Sequence, residues 1–262
     1  MSLIHHVVSG HGRPPVVFIH GFACAHSDWD AQVAHLSPRH QTMAVDLRGH
    51  GASPGTADEC TIARLGADVA DVMAQLDLPP AVIVGHSMGC RVAVESVRAR
   101  GGAAGLVLVD GSQFAAAMEP TLKAALAEPG GFATLSNRWF KDMFTARSDP
   151  AVAAAVGARA ARLPRDIGER LMLNMLRYDV DQLSGALASL RTPTLVVQTT
   201  YSNDKRERQS MRQGQDTPYL QFVRERMPHA RIEIIEDTGH FPQLDQPARL
   251  NALLDGFLAE LS

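Results

Sequence analysis

The chain has 262 residues, 45% of them hydrophobic and 20% charged, with a net charge of −3. That length predicts one or two globular domains with a sizeable core, and the slightly acidic balance argues against a nucleic-acid partner. No apolar run approaches the ~20 residues that span a bilayer, residues 1–6 lack the charged-then-apolar pattern of a signal peptide, and three scattered cysteines, Cys24, Cys60 and Cys90, lack metal-ligand spacing and suit a reducing cytoplasm.

Short β-rich runs then alternate with helical stretches along the chain. The strand candidates are residues 16–19, 41–45, 81–84, 106–109, 194–197 and 231–235. They are near-continuous apolar runs, as expected of strands buried on both faces of a parallel sheet. Helix-like segments occupy residues 63–76, 88–100, 218–226 and 247–261. This alternation predicts an α/β fold with a doubly wound, mostly parallel sheet, in which ligands bind beyond the carboxyl ends of the strands. Residues 113–190 break the pattern. They hold no good strand and are cut by Pro120, Pro129, Pro150 and Pro164, which predicts short helices. The expected organisation is therefore a core of residues 1–112 and 191–262 with a helical cap, residues 113–190, inserted after the strand that ends at Val109. A polar stretch follows the strand at 194–197. With Lys205-Arg206-Glu207-Arg208 and Arg212 it reads as a solvated loop, as mixed-sign charge runs usually are.

The most informative segment is Gly85-His86-Ser87-Met88-Gly89, between the apolar run at 81–84 and the helix at 88–100. A serine between two glycines at such a junction fits a sharp strand-to-helix turn, where the flanking side chains would collide with neighbouring backbone. The turn presents the hydroxyl beside the positive end of a helix. A serine hydroxyl still needs a base. His240, in Asp237-Thr238-Gly239-His240-Phe241-Pro242, lies after the last strand candidate and before the last helix. Attack on a carbonyl also creates an oxyanion that needs two N–H donors. The Met88 amide, opening the helix, is one candidate. The Phe22 amide, in His20-Gly21-Phe22-Ala23 after the first apolar run, is the other.

Four segments in this order resemble the α/β-hydrolase superfamily: His20-Gly21-Phe22, Asp46-Leu47-Arg48-Gly49-His50-Gly51-Ala52-Ser53, Gly85-His86-Ser87-Met88-Gly89 and Asp237-Thr238-Gly239-His240-Phe241. The resemblance implies that Asp46, Arg48 and His50 brace a turn, that His86 packs beside the nucleophile and that His20 orients the oxyanion loop. It also implies a catalytic acid, and here the chain departs from the usual pattern. The Gly-x-x-Asp loop expected after the strand at 194–197 reads Gln198-Thr199-Thr200-Tyr201-Ser202-Asn203-Asp204, without the glycine and with Asp204 two residues late. Some branches place the acid one strand earlier, where this chain has Asp110. Asp110 is the first choice, Asp204 the alternative acid and Asp216 the third.

The implied activity is acyl transfer to water on a small-molecule substrate, with no metal or organic cofactor and no membrane partner. Phe114, Met118, Phe132, Trp139, Phe140, Met143, Phe144, Met172 and Met175 give the cap an apolar character, though most are expected to be cap core. A carboxylesterase or lactonase is the leading expectation. A carbon–carbon or amide-bond hydrolase of aromatic degradation, a cofactor-free dioxygenase using the His240–Asp110 pair as base, and a non-catalytic relative are the others.

Overall fold

The computed structural model describes residues 4–146, 148–203 and 207–261. In chain order its strands are β1 (His6–Ser9), β2 (Val16–Ile19), β3 (Thr42–Val45), β4 (Val82–His86), β5 (Gly105–Val109), β6 (Thr194–Gln198), β7 (Thr200–Ser202), β8 (Arg208–Ser210) and β9 (Arg231–Ile234). Its α-helices are α1 (Asp30–Leu36), α2 (Ile62–Gln75), α3 (Met88–Arg100), α4 (Glu119–Ala127), α5 (Gly131–Asp142), α6 (Pro150–Ala160), α7 (Arg165–Asp181), α8 (Leu183–Ser189), α9 (Pro218–Arg226), α10 (Pro242–Asp245) and α11 (Pro247–Glu260). Seven strands form one sheet in the order β1-β3-β2-β4-β5-β6-β9. β1 runs antiparallel to β3, and the remaining pairs are parallel. No helix among the described residues is long and apolar enough to cross a membrane.

The continuous apolar runs have a plain cause. Along each strand alternate side chains enter two different cores. Val17, Ile19, Ile83, Leu106, Leu108 and Val196 pack with α2 and α3 through Leu65, Val69 and Val92. Val16, Phe18, Val84, Val107 and Val197 face the other way, onto Trp29, α1 and α11 through Leu36, Leu250 and Phe257. With both faces covered, neither set of positions tolerates polar residues. Several elements were not expected from the sequence. β1 is a short, half-exposed edge strand whose alternation is too brief to register. Helix α1 spans only seven residues. The polar stretch after β6, expected to be a solvated loop, instead folds into the antiparallel β7–β8 pair.

The chain moves outward from β2 to β3 and then returns to the opposite side of β2 as β4. The carboxyl ends of β2 and β4 therefore flank the topological switch point, where open α/β sheets bind ligands. The loop after β2 carries Phe22, and the turn after β4 carries Ser87. Between β5 and β6 lie the five helices α4 to α8. Prolines start three of them: Pro120 and Pro150 fall in the first turns of α4 and α6, and Pro164 caps α7, positions where a missing N–H costs nothing.

A buried ion pair ties these helices to the sheet. Arg91 of α3 donates from Nε and Nη2 to Asp179 of α7, at 2.7 and 2.5 Å, and from Nη2 to the Ser112 carbonyl at 3.0 Å. Asp179 also accepts the Phe114 amide at 2.7 Å. Both charges are fully buried, so removing one strands the other. Asp179→Ala is expected to lower the unfolding free energy by about 3–5 kcal/mol, read from urea melts. A loss below 1 kcal/mol would mean that Arg91 finds another partner at little cost.

Candidate active site

Strand register brings the site together. β4 pairs with β5 so that His86 stands opposite Val109, and β5 pairs with β6 so that Val109 stands opposite Val197. The ladder runs one step further: Ser87 N donates to the Val109 carbonyl at 2.9 Å, and Asp110 N donates to the Val197 carbonyl at 2.8 Å. Ser87, Asp110 and the Thr199–Thr200 segment thus leave the sheet in adjacent rows. Ser87 has φ 55° and ψ −116°, a conformation that costs an ordinary side chain of order 1–3 kcal/mol. The glycines beside it are dictated by packing. A Cβ on Gly85 would lie 2.2 Å from the Gly89 carbonyl oxygen, and one on Gly89 would lie 2.5 Å from that of Ile19.

From Ser87 an unbroken row of hydrogen bonds runs inward. His240 Nε2 lies 2.8 Å from Ser87 Oγ, and His240 Nδ1 lies 2.6 Å from Asp110 Oδ2. Asp110 is fully buried, and every other lone pair is in use. Its Oδ1 accepts the Thr199 and Thr200 amides at 2.8 and 2.7 Å, and its Oδ2 accepts the Thr200 hydroxyl at 2.6 Å. Burial works to raise the Asp110 carboxyl, but the bond and charge of His240, the charge of Arg208 and the Thr200 hydroxyl outweigh it and bring it to about 2. An ionised Asp110 has no proton to give, so the Nδ1–Oδ2 contact requires the proton on Nδ1. Nε2 is then the free base facing Ser87. Burial, then the positive charge of Arg208, pulls His240 below its ordinary value to about 4, against the opposing pull of Asp110.

Neighbouring groups hold this row in place. His86 Nε2 donates to the His240 carbonyl at 2.6 Å, Thr199 Oγ1 donates to the Gly239 carbonyl at 2.9 Å, and His240 N donates to the Met143 carbonyl at 2.8 Å. His20 bridges two loops: its Nδ1 lies 2.7 Å from the Gly21 carbonyl, and its Nε2 accepts the Leu47 amide at 3.0 Å. Burial, together with the charge of His50, brings His20 down to about 3, so it stays neutral. The loop it steadies crosses close to the serine, since a Cβ on Gly21 would lie 3.2 Å from Ser87 Cβ. Phe22 follows on that loop, and Met88 begins α3 on the other side of Ser87.

Other residues singled out in the sequence lie elsewhere. Asp204, the alternative acid, falls outside the described residues. Asp216 is exposed at the start of α9 and pairs with Arg224 at 2.5 Å. Phe132, Phe140, Met143, Met172 and Met175 are buried core, whereas Phe114, Trp139 and Phe144 are only partly buried. Among the described residues, His5, His26 and Asp46 form a group whose possible metal-ligand atoms lie within 4.8 Å of one another. Asp46 already accepts the His26 and Ala52 amides at 2.8 and 3.0 Å and faces His26 Nδ1 at 2.9 Å, so the group reads as a brace for the turn after β3.

Sequence reasoning missed two features. Thr199 and Thr200 cradle Asp110 where the loop pattern has a glycine; two β-branched hydroxyl residues at a strand end were the available signal. Arg208, counted with a solvated charge run, instead turns inward from β8. Its Nη1 donates to Thr200 Oγ1 at 2.6 Å and lies 3.1 Å from His240 Nδ1 and 3.6 Å from Asp110 Oδ2.

The comparisons with known proteins agree with this architecture. The chain is 25% identical, over 95% of its own length and 90% of the relative's, to 3-oxoadipate enol-lactonase 1 of Acinetobacter baylyi. It is 26% identical over 96% of its length to the dihydrolipoyllysine-residue acetyltransferase component of the acetoin cleaving system of Cupriavidus necator, and it spans 65% of that protein. Among solved structures, a thermophilic esterase from Thermogutta terrifontis superposes with a TM-score of 0.81 at 23% identity, covering 98% of this chain and 93% of the other. The model of the alpha/beta hydrolase family matches residues 16–253, from β2 into α11, and the chain belongs to that family.

Proposed function

We propose that the protein is a serine hydrolase that cleaves a carboxylic ester or lactone of a small, largely apolar substrate through an acyl-enzyme on Ser87. The observation that carries this reading is the hydrogen-bonded row Ser87–His240–Asp110 on a strained strand-to-helix turn. Ser87 Oγ attacks the carbonyl carbon as His240 Nε2 takes its proton. The carbonyl oxygen becomes an oxyanion held by the Phe22 and Met88 amides. When the tetrahedral species collapses, the C–O bond to the alcohol breaks and His240 returns the proton to the leaving oxygen. A water molecule, deprotonated by His240, then attacks the acyl carbon; the acid departs and Ser87 regains its proton. Asp110 holds the Nδ1–H tautomer and stabilises the imidazolium without being protonated itself.

The substrate class rests on what stands beside the serine. Trp139 meets the Phe22 ring edge-on at 6.3 Å and stacks on Phe114 at 6.0 Å. These rings, from the helical segment and the Phe22 loop, form an apolar cluster next to the loop that passes Ser87, on the side where residues 113–190 would cap a substrate. The enol-lactonase relative, alike over nearly its whole length, supports an ester or lactone carbonyl as the target.

A fluorophosphonate probe tests the nucleophile directly. The wild-type protein is expected to take up one phosphonyl group, found on the peptide containing Ser87, and Ser87→Ala is expected to take up none. Labelling of another residue, or no labelling of folded wild-type protein, would overturn the assignment and favour a chemistry in which Ser87 forms no covalent bond.

A further inference from the structure

We propose that Arg208, carried into the site by the β7–β8 hairpin, is a positioning residue for the Ser87–His240–Asp110 row, its guanidinium keeping the Asp110 carboxylate ionised and the His240 ring neutral between turnovers. This inference rests on the functional reading above and adds a charged member to it.

The geometry leaves Arg208 one role toward each partner. Toward Asp110 it acts through Thr200: Arg208 Nη1 donates to Thr200 Oγ1 at 2.6 Å, and the same hydroxyl donates to Asp110 Oδ2 at 2.6 Å. Donating to the hydroxyl oxygen fixes its hydrogen on the carboxylate and makes it a better donor. The cation itself lies 3.6 Å from Oδ2. Toward His240 the contact is of a different kind. The Nδ1 proton already points at Asp110, so an Arg208 N–H at 3.1 Å from Nδ1 finds no lone pair there. What remains is a fixed positive charge against a ring that turns positive when it takes a proton, which disfavours the imidazolium.

Other charges surround the ring without duplicating this one. From β5 comes Asp110, from the end of β4 the buried His86 with its ring 4.7 Å away, and from α3 Arg91, already paired with Asp179. Asp142, closing α5, faces Arg208 and is exposed. Burial and the neighbouring His240 push His86 down to about 3, so it adds no charge. Asp245, behind the loop, accepts the Gly239 amide at 3.2 Å. Arg208 is thus the cation in contact with Nδ1. Its side chain is 23% exposed, and burial works to lower the arginine against the opposing pull of Asp110 and Asp142.

The sign of the effect follows. The neutral ring is the active base, so kcat/KM falls as pH drops through the pKa of His240. The Arg208 charge lowers that value, whereas the ionised Asp110 pulls it upward, so it is the Arg208 charge beside the buried ring that holds the acid limb at low pH. Removing the charge moves the limb upward.

The test is the pH profile of kcat/KM for p-nitrophenyl butyrate, each variant normalised to its own plateau so that loss of folded protein does not enter. The wild type is expected to have an acid limb well below 6.5. Arg208→Gln and the longer, uncharged Arg208→Met are expected to shift it up by roughly 1–2 units, and Arg208→Lys to restore it. A limb in both uncharged variants that superimposes on the wild type overturns the proposal. Should both variants fail to fold, ¹⁵N NMR titration of the His240 ring in the smaller Arg208→Ala decides: a midpoint above that of the wild type supports the proposal, and one equal to it overturns it. Loss of turnover in Ser87→Ala with an unshifted Arg208→Gln limb sinks only the role of Arg208. Turnover surviving in Ser87→Ala sinks the functional reading itself.

Discussion

Replacing Ser87 with alanine is expected to lower kcat for hydrolysis of p-nitrophenyl butyrate by about a millionfold, with KM changed little. The magnitude follows from how such a row works: nucleophile, base and acid act as one unit, so loss of the nucleophile alone removes nearly all of its contribution. What survives is the contribution of the Phe22 and Met88 amides and of binding, on the order of 10³–10⁴ over the reaction in water. The substitution leaves the surroundings intact. Ser87 Oγ contacts His240 Nε2 and closes no buried network of its own, and alanine inherits the same positive φ without added bulk. Unfolding free energies of variant and wild type should therefore agree within about 0.5 kcal/mol, so a drop in rate cannot be ascribed to misfolding. A variant that keeps more than a few per cent of the wild-type rate would remove Ser87 from the role of nucleophile.

Fold and site differ in how plainly the residues announce them, and the difference is physical. The sheet is legible because its strands are buried on both faces: Val82 to Val84 and Leu106 to Val109 have no polar side to dilute the signal. The elbow is legible because its backbone demands glycine at positions 85 and 89, where any side chain would overlap a carbonyl oxygen within about 2.5 Å. His240 stands out through its place after the last strand, and Asp110 through its place at the end of β5. Edge strand β1 and the β7–β8 hairpin do not stand out, because half-exposed strands of three or four residues carry too little alternation. Arg208 is the instructive omission. In a run of mixed charges nothing local separates the one arginine that turns inward from those that stay in water. Its direction is set by the hairpin register, Ser202 opposite Arg208 and Thr200 opposite Ser210, and by Asp110, which lies 98 residues away in sequence and becomes a neighbour only through the β5–β6 pairing.

Asp110→Asn is expected to lower kcat by about 10⁴-fold with the fold retained, and the hydrogen-bond pattern says why so conservative a change should be so costly. The Oδ1 position accepts two backbone amides, from Thr199 and Thr200. An asparagine must present its carbonyl oxygen there, because an NH₂ group facing two N–H donors would leave three buried donors without an acceptor. Its NH₂ is then forced into the Oδ2 position, 2.6 Å from His240 Nδ1. Nδ1 can no longer donate and becomes the acceptor. The proton moves to Nε2, the nitrogen that faces Ser87, and the ring can no longer take the serine proton. Arg208, 3.1 Å from Nδ1, reinforces the wrong tautomer, since its positive charge opposes a proton on the nitrogen it faces. The defect should therefore persist across the pH range rather than disappear at high pH, which separates a tautomer effect from a shifted titration. Asp204→Asn is the control. It should keep a rate within about threefold of wild type, and if it instead suffers the larger loss while Asp110→Asn stays active, the acid of the relay is Asp204.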